Sequence, residues 1–333
     1  MKKLIENFPI QLLEAIQIGE KTKFSKSNPP AGRAKKISNV FISGLGGSGI
    51  GGTIVSELTA METSVPITVG KGYFIPKFVN QNTLVIISSY SGNTEETLNC
   101  LNLALKRKAK IVCVTSGGKI AEIARKKKLD LITIPGGNPP RACLGYSLTQ
   151  QFFILSHFGI IGNKFKTQLK SAIELIEKEK QDIISEAKQV AEKLNGKTPI
   201  IYTTTNYEGV AIRFRQQLNE NAKILCGHHV IPEMNHNELV GWASGSDRIS
   251  VIILRDKDEY ERNNVRIEIN KGVMVKYTSN ITEVWSKGKS QIEKAIYLIH
   301  LVDWASLFLS ELRSVDAVEV NVIDMLKGEL SKI

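Results

Sequence analysis

The feature that most constrains the fold is a strand delivered straight into a helix through a polar turn. Thr83-Leu84-Val85-Ile86-Ile87 is an apolar run of strand length. Ser88-Ser89-Tyr90-Ser91-Gly92-Asn93-Thr94 follows, and a helical pattern then runs through Leu98, Leu101 and Leu105. The apolar run reads as a buried strand and the polar stretch as a strand-to-helix turn. The turn carries the hydroxyls Ser89, Ser91 and Thr94 around one glycine. An ordinary helix cap needs one such residue, not three. A helix N-terminus presents unpaired N–H donors and a partial positive charge, and hydroxyls aimed at the same point complete a nest for a phosphate monoester.

The same alternation runs along the chain. Strands are expected over 39–42, 66–69, 110–114 and 131–134, with helices over 50–60 and 93–106 and a buried helix over 144–159. Beyond a Glu-, Lys-, Ala- and Ile-rich segment that ends at Asn195-Gly196, strands are expected over 199–202, 248–254, 273–277 and 282–285. Helices are expected over 207–221, 289–311 and 317–331. Short apolar strands alternating with helices predict an α/β fold of parallel sheets covered on both faces. The reading is two similar doubly wound halves joined by a helix. Residues 1–34 form an N-terminal helix and a polar segment, 35–165 the first half, 166–196 the linking helix, and 197–333 the second half with the C-terminal helices.

A second turn demands a separate argument. Gly44-Leu45-Gly46-Gly47-Ser48-Gly49 follows the first strand and opens a helix, and its spacing satisfies G-x-G-x-x-G. A dinucleotide site places an acid at the end of the next strand to hold the ribose. Here that strand ends Val69-Gly70-Lys71-Gly72, with no acid, although Lys71 could accommodate a 2′-phosphate, so this test alone does not decide. The other use of such glycines is to let a ligand approach the backbone, with Gly46, Gly47 and Ser48 beside it. No G-x-x-x-x-G-K-[ST] occurs, which removes a P-loop.

Composition narrows the class. Of 333 residues, 42% are hydrophobic and 23% charged, which is ordinary for a globular protein. No apolar run is read as a membrane span, and the N-terminus lacks the apolar core of a signal peptide, so the expected location is cytoplasmic. Cys100, Cys113, Cys143 and Cys226 form no CxxC pair and support neither zinc nor disulfides. The net charge of +11 gathers in Lys35-Lys36, Lys106-Arg107-Lys108 and Arg125-Lys126-Lys127-Lys128, a pattern of helix ends and loops. It comes without the aromatic interleaving of a nucleic-acid surface, so no nucleic-acid partner is expected.

The two turns together resemble the SIS (sugar isomerase) domain, in which they enclose a sugar phosphate. Asn138-Pro139-Pro140-Arg141-Ala142, Gly145-Tyr146-Ser147 and Pro232-Glu233-Met234-Asn235-His236-Asn237-Glu238 narrow the match. With them the chain resembles the bifunctional phosphoglucose/phosphomannose isomerases along nearly its whole length. The resemblance implies two SIS halves and a homodimer in which His236 is supplied across the interface. It also implies interconversion of glucose 6-phosphate or mannose 6-phosphate with fructose 6-phosphate. The matching positions are Glu220, His236, Arg141 and Lys327.

Aldose–ketose isomerisation moves a proton between C2 and C1 through an enediol. It needs a base, a donor for the developing oxyanion and an acid/base to open the ring, with no redox cofactor. Glu220 is expected as the base, His236 at the ring oxygen, Arg141 at the enediolate, and Lys327 at the sugar or its phosphate. Ser89, Ser91 and Thr94 hold the phosphate. His228, His229 and His236 with nearby glutamates fit no zinc spacing, so no metal is expected. From position alone, each of the four catalytic candidates also has a plainer reading: Glu220 and Lys327 as surface residues of their helices, Arg141 as a surface arginine after a turn, His236 as a turn histidine bonded to a nearby Asn. Two other readings are a sugar-phosphate-binding regulator without turnover, which would not require Glu220, His236 and Arg141, and another SIS sugar-phosphate isomerase.

Overall fold

The computed structural model describes residues 1–25 and 37–332. Most of the polar segment expected at 23–34, and the Lys35-Lys36 pair, lie outside the described residues. In chain order the elements are α1 (Lys2–Glu6), α2 (Phe8–Lys21), β1 (Asn39–Ser43), α3 (Gly46–Thr59), β2 (Ile67–Gly70), β3 (Thr83–Ser88), α4 (Glu95–Lys106), β4 (Lys110–Thr115), α5 (Gly118–Lys127), β5 (Asp130–Thr133), α6 (Leu144–His157) and α7 (Lys164–Lys178). The chain continues through α8 (Lys180–Leu194), β6 (Thr198–Thr204), α9 (Glu208–Asn221), β7 (Gly227–Ile231), α10 (Glu238–Gly241), β8 (Ile249–Arg255), α11 (Glu261–Met274), β9 (Ile281–Trp285), α12 (Gln291–Leu312) and α13 (Asn321–Leu330).

The chain divides into two compact units. One comprises Glu6–Lys178 with Gly288–Ile296; the other comprises Met1–Ile5, Glu179–Lys287 and Tyr297–Ile333. They are called the first and the second unit below.

The first unit is built on a five-stranded parallel sheet of order β2-β1-β3-β4-β5. Every residue of β3 is buried, as expected for the central strand of a sheet covered on both faces. On one face Phe41, Val85, Ile87, Ile111 and Cys113 pack against Cys100, Leu101 and Ala104 of α4 and Ile120 and Ala124 of α5. Each fully buried aliphatic side chain here contributes about 1.5–3 kcal/mol over leaving it in water. α6 is buried along twelve of its fourteen residues and packs against both α2 and α3.

The second unit holds a four-stranded parallel sheet of order β7-β6-β8-β9. Tyr202, Val251 and Ile253 of its strands pack with Met234, Trp242, Ile267 and Met274. Both sheets therefore follow the α/β architecture expected.

Several expectations are corrected in detail. Residues 273–277 are not a strand: α11 runs to Met274, and Ile267, Asn270 and Met274 are its buried face at helical spacing. Val275 is exposed, so the β-branched run has no strand-like alternation. β7 was not expected because Gly227-His228-His229 carries no apolar signal; it is an edge strand. The segment 166–196 is two helices, α7 and α8, which meet at Glu179 and fall in different units. Among the described residues one helix, Gln291–Leu312, is long and apolar enough to cross a membrane, contrary to the sequence reading; 89% of its most apolar window is buried inside the protein, as a core helix would be.

Candidate active site

In a doubly wound sheet of order 2-1-3-4-5 a crevice opens where the chain leaves β1 and β3 in opposite directions, at their carboxyl ends. β1 ends at Ser43 and β3 at Ser88. The glycine turn and the hydroxyl turn singled out in the sequence therefore emerge side by side at this switch point.

The glycine turn is shorter than expected, because α3 begins at Gly46 rather than Ile50. The Leu45 carbonyl accepts from the Ser48 and Gly49 N–H groups, at 3.1 Å each, and starts the helix early. A side chain at Gly47 would lie 2.9 Å from the Pro140 carbonyl oxygen, so glycine there lets the Arg141 segment rest on the turn. Gly46, beside it, is exposed. Ser48 is buried, and its Oγ accepts from the Tyr90 N–H at 3.0 Å. That bond ties the two turns together.

In the hydroxyl turn each oxygen has an internal role. Ser89 Oγ accepts from the Gly92 N–H at 3.2 Å and shares a hydrogen bond of 2.9 Å with Thr94 Oγ1. Ser91 Oγ accepts from the Asn93 N–H at 3.3 Å. Two hydroxyl protons remain for a ligand: that of Ser91 and that of whichever of Ser89 and Thr94 accepts from the other. Thr94 makes no side-chain cap to α4. The amides of the first turn of α4 are thus left for an anion. The turn is braced from β4. Gly92 has φ +69°, and a side chain there would lie 1.8 Å from the Gly117 carbonyl oxygen, so only glycine fits. The Ile120 N–H donates to Gly92 O at 2.9 Å and the Lys119 N–H to Asn93 Oδ1 at 3.0 Å.

Arg141 sits in a short 3-10 turn, Pro140–Ala142, and is 5% exposed. It is not the surface arginine that its position after a turn allowed. The Asn138 N–H just upstream donates to the Tyr90 hydroxyl at 3.1 Å. Burial, and a hydrogen bond with the Cys143 thiol, push the Tyr90 phenol up to about 12, so it stays protonated. Downstream, Gln11 of α2 donates through Nε2 to Ala142 O at 2.8 Å, and its Oε1 accepts from the Gly145 N–H at 2.7 Å. The arginine turn is therefore held by the glycine loop, the hydroxyl loop and the N-terminal helix together.

In the second unit, Glu220 lies half-buried in the last turn of α9. α9 is fixed by polar bonds to α12 from residues close to Glu220 on the helix. Buried Arg213 and Gln217 both bond the buried Asp303 carboxylate, and Asn221 Nδ2 donates to Ser306 Oγ at 2.9 Å. Burial, the largest influence, raises the Asp303 carboxyl above its ordinary value against the opposing pull of Arg213.

His236 is exposed at the end of the 3-10 turn Glu233–His236. That turn is anchored by Met234, which is fully buried, and by Asn235 Nδ2 donating to Asn270 Oδ1 at 2.7 Å. The buried Tyr202 hydroxyl donates to Glu238 and accepts from Trp242 Nε1 at 3.1 Å, which pins the segment just after the histidine. Burial and the Glu238 carboxylate push the Tyr202 phenol up, so it remains a donor. Lys327 lies on α13, none of whose residues is buried, and pairs with Asp324 at 3.6 Å.

Gly46, Gly47, Ser48, Ser89, Ser91, Thr94 and Arg141 thus gather in the first unit around one switch point. Glu220, His236 and Lys327 stand on three separate elements of the second unit. Sequence reasoning missed Gln11, the Tyr90 hydroxyl and the Thr115–Gly118 brace. The Ser116-Gly117-Gly118 run directly after a strand was a usable signal for the brace. A single glutamine on an amphipathic helix offers none.

Comparison with known proteins decides the family. Residues 36–160 match the SIS domain, and residues 183–330 match the bacterial phospho-glucose isomerase C-terminal SIS domain. The chain is 36% identical to a bifunctional phosphoglucose/phosphomannose isomerase of Caldicellulosiruptor bescii, over all of this chain and 99% of that one. It is 33% identical to the protein of the same name from Aquifex aeolicus, over 88% of this chain and 90% of that one. This chain belongs to the bifunctional phosphoglucose/phosphomannose isomerase family. It is an isomerase built from SIS domains. Its fold also matches the C-terminal domain of glucosamine-fructose-6-phosphate aminotransferase from Francisella tularensis, with a TM-score of 0.77 at 16% identity, covering 96% of this chain and 98% of that one.

Proposed function

We propose that this chain interconverts glucose 6-phosphate and mannose 6-phosphate with fructose 6-phosphate in the cytoplasm, through an enediol. The observation that carries this reading is the switch point of the first unit. A hydroxyl-lined helix N-terminus suited to a phosphate is fastened, through Ser48, Tyr90 and Gly47, to the turn that presents a buried arginine. Such a pairing suits a substrate with a phosphate at one end and a developing oxyanion at the other.

In this scheme the phosphate oxygens are received by the amides of α4, the Ser91 hydroxyl and the Ser89–Thr94 hydroxyl pair, which has one proton to give. His236 passes a proton to the ring oxygen as the hemiacetal opens, in exchange for the proton that the O1 hydroxyl releases as the C1 carbonyl forms. Glu220 takes the proton from C2 of the open aldose, which leaves an enediolate whose oxygen faces the Arg141 guanidinium. The O2 hydroxyl proton passes to O1, Glu220 returns its proton to C1, and the ketose results. In reverse, the planar C2 can take the proton to give either epimer when the C2–C3 torsion is not locked. Lys327 contacts the sugar or its phosphate.

The working form in this scheme is a homodimer with His236 crossing to the neighbouring subunit. Support comes from apolar side chains left in solvent on the elements concerned. Val240, four residues beyond His236, and Val322, Met325 and Leu326 of α13 are all more than half exposed.

One coupled assay tests the activity: fructose 6-phosphate in, both aldoses quantified, with EDTA present. Both aldoses should form. Formation of only one, or of neither, overturns the scheme. The crossing of His236 has its own test in mixed dimers of His236→Ala and Glu220→Gln chains. If the histidine crosses, one of the two sites in each mixed dimer is intact and activity returns on mixing. If mixing restores nothing while mixed dimers form, the histidine serves its own chain.

A further inference from the structure

The N-terminal helix has a task that its sequence does not advertise. α2 packs on α6, and Gln11, 8% exposed, is aimed at the junction between the Arg141 turn and α6. Two backbone groups there point at it: the Ala142 carbonyl and the Gly145 N–H. Its amide meets both, at 2.8 Å and 2.7 Å. One donor and one acceptor are required side by side, so only one orientation of the amide satisfies the pair. Gly145 is itself cut to fit, since a side chain there would lie 2.6 Å from Gln11 Oε1. A second bond, Gln150 Nε2 to Ala15 O at 2.7 Å, rivets α6 to α2 one turn further on.

We infer that Gln11 is a positioning residue for Arg141, fixing the downstream end of its turn as the Tyr90 hydroxyl fixes the upstream end. The inference rests on the reading of Arg141 as the group that faces the enediolate. The plainer role for Gln11 is a cap on the first turn of α6, which would matter to folding alone. The two roles differ in what they couple to. A cap serves the fold whatever residue stands at 141. A positioning residue matters to the reaction only while the arginine is there.

The test is a double-mutant cycle on the full-length protein, assayed with fructose 6-phosphate. Gln11→Met keeps length and removes both bonds. Gln11→Glu keeps the bond to Gly145 and loses the one to Ala142. Loss of sub-ångström placement should lower kcat of Gln11→Met about 10- to 100-fold, with Gln11→Glu between it and the natural protein. KM should stay within about threefold, since the enediolate forms only after binding. In an Arg141→Ala background the same substitutions should cost less than about twofold further. An equal loss in both backgrounds, or an unchanged kcat in a folded variant, overturns the clamp. Should Gln11→Met fail to fold by circular dichroism, Gln11→Glu carries the cycle alone. Full activity in Arg141→Ala by itself would overturn the role of the arginine, an outcome distinct from failure of the clamp.

Discussion

The two sheets of this chain share a winding and differ in what they place at its switch point. In the first unit β1 and β3 are central neighbours, and in the second β6 and β8 are. After β1 and β3 come glycines, hydroxyls and helix amides. After β6 and β8 come Tyr207 and Asp256, both buried, with the tyrosine hydroxyl donating to the carboxylate at 2.6 Å. Glu259 and Asp258 bond around Asp256 as well. The buried Asp256 carboxylate stands where the first unit has its nest and repels a phosphate, and the neighbouring Arg255 is already engaged by Glu259, Glu268 and Glu283. The frame offers a crevice twice, and in the proposed scheme the residue types decide which one receives an anion. In the proposed scheme the second unit contributes acids and bases from α9 and from the turn after β7.

That division is most sharply tested at Glu220. If the first unit holds the phosphate and steadies the oxyanion while the second supplies the base, Glu220→Gln should lower kcat about 10²- to 10⁴-fold with little change in KM. Glucose 6-phosphate and mannose 6-phosphate should suffer alike, because one base serves both. Loss of one activity with retention of the other, measured on one purified sample, would break the shared-base scheme.

A second strong effect is expected where α9 is fastened. Asp303→Asn removes the carboxylate charge that pairs with the buried Arg213 guanidinium. Breaking such a buried pair from one side costs about 3–5 kcal/mol. The urea midpoint should fall with an unchanged slope. An unchanged midpoint would mean that the pair does not hold α9, and some other contact must then orient Glu220.

These two positions also mark how far sequence reasoning reached. The hydroxyl turn was legible because its physics is local: a strand, a glycine and hydroxyls lie within one stretch of chain, and periodicity located both flanking elements. α11 was misread in part because Val273-Met274-Val275 carries strand propensity, while tertiary packing of Ile267, Asn270 and Met274 makes it helical. β7 was invisible, since an edge strand led by Gly227-His228-His229 gets its structure from pairing with β6. Gln11 lay beyond reach for the same reason: its partners, Ala142 and Gly145, are more than 130 residues away in the chain. Glu220, His236, Arg141 and Lys327 were carried by the family resemblance, not by any periodicity or spacing of their own.

The smallest effect compares the two switch points directly. Ser89→Ala with Thr94→Ala removes a hydroxyl pair from the anion nest but leaves the amides of α4 in place. The Gly92 N–H loses its Ser89 Oγ acceptor and keeps the Ser89 carbonyl at 3.2 Å, so the turn retains its backbone bond. Hydrogen bonds to a charged group are worth about 1.5–3 kcal/mol each, and water replaces part of that in an open site. KM for the phosphorylated sugars should therefore rise about 10- to 100-fold, with kcat changed far less. The matched change in the second unit, Thr205→Ala with Asn206→Ala, alters a turn that ends beside a carboxylate and should shift KM less than about twofold. A KM that rises equally in both variants would mean that phosphate recognition is not confined to the first switch point. The difference in charge between the two crevices would then not be what selects the anion.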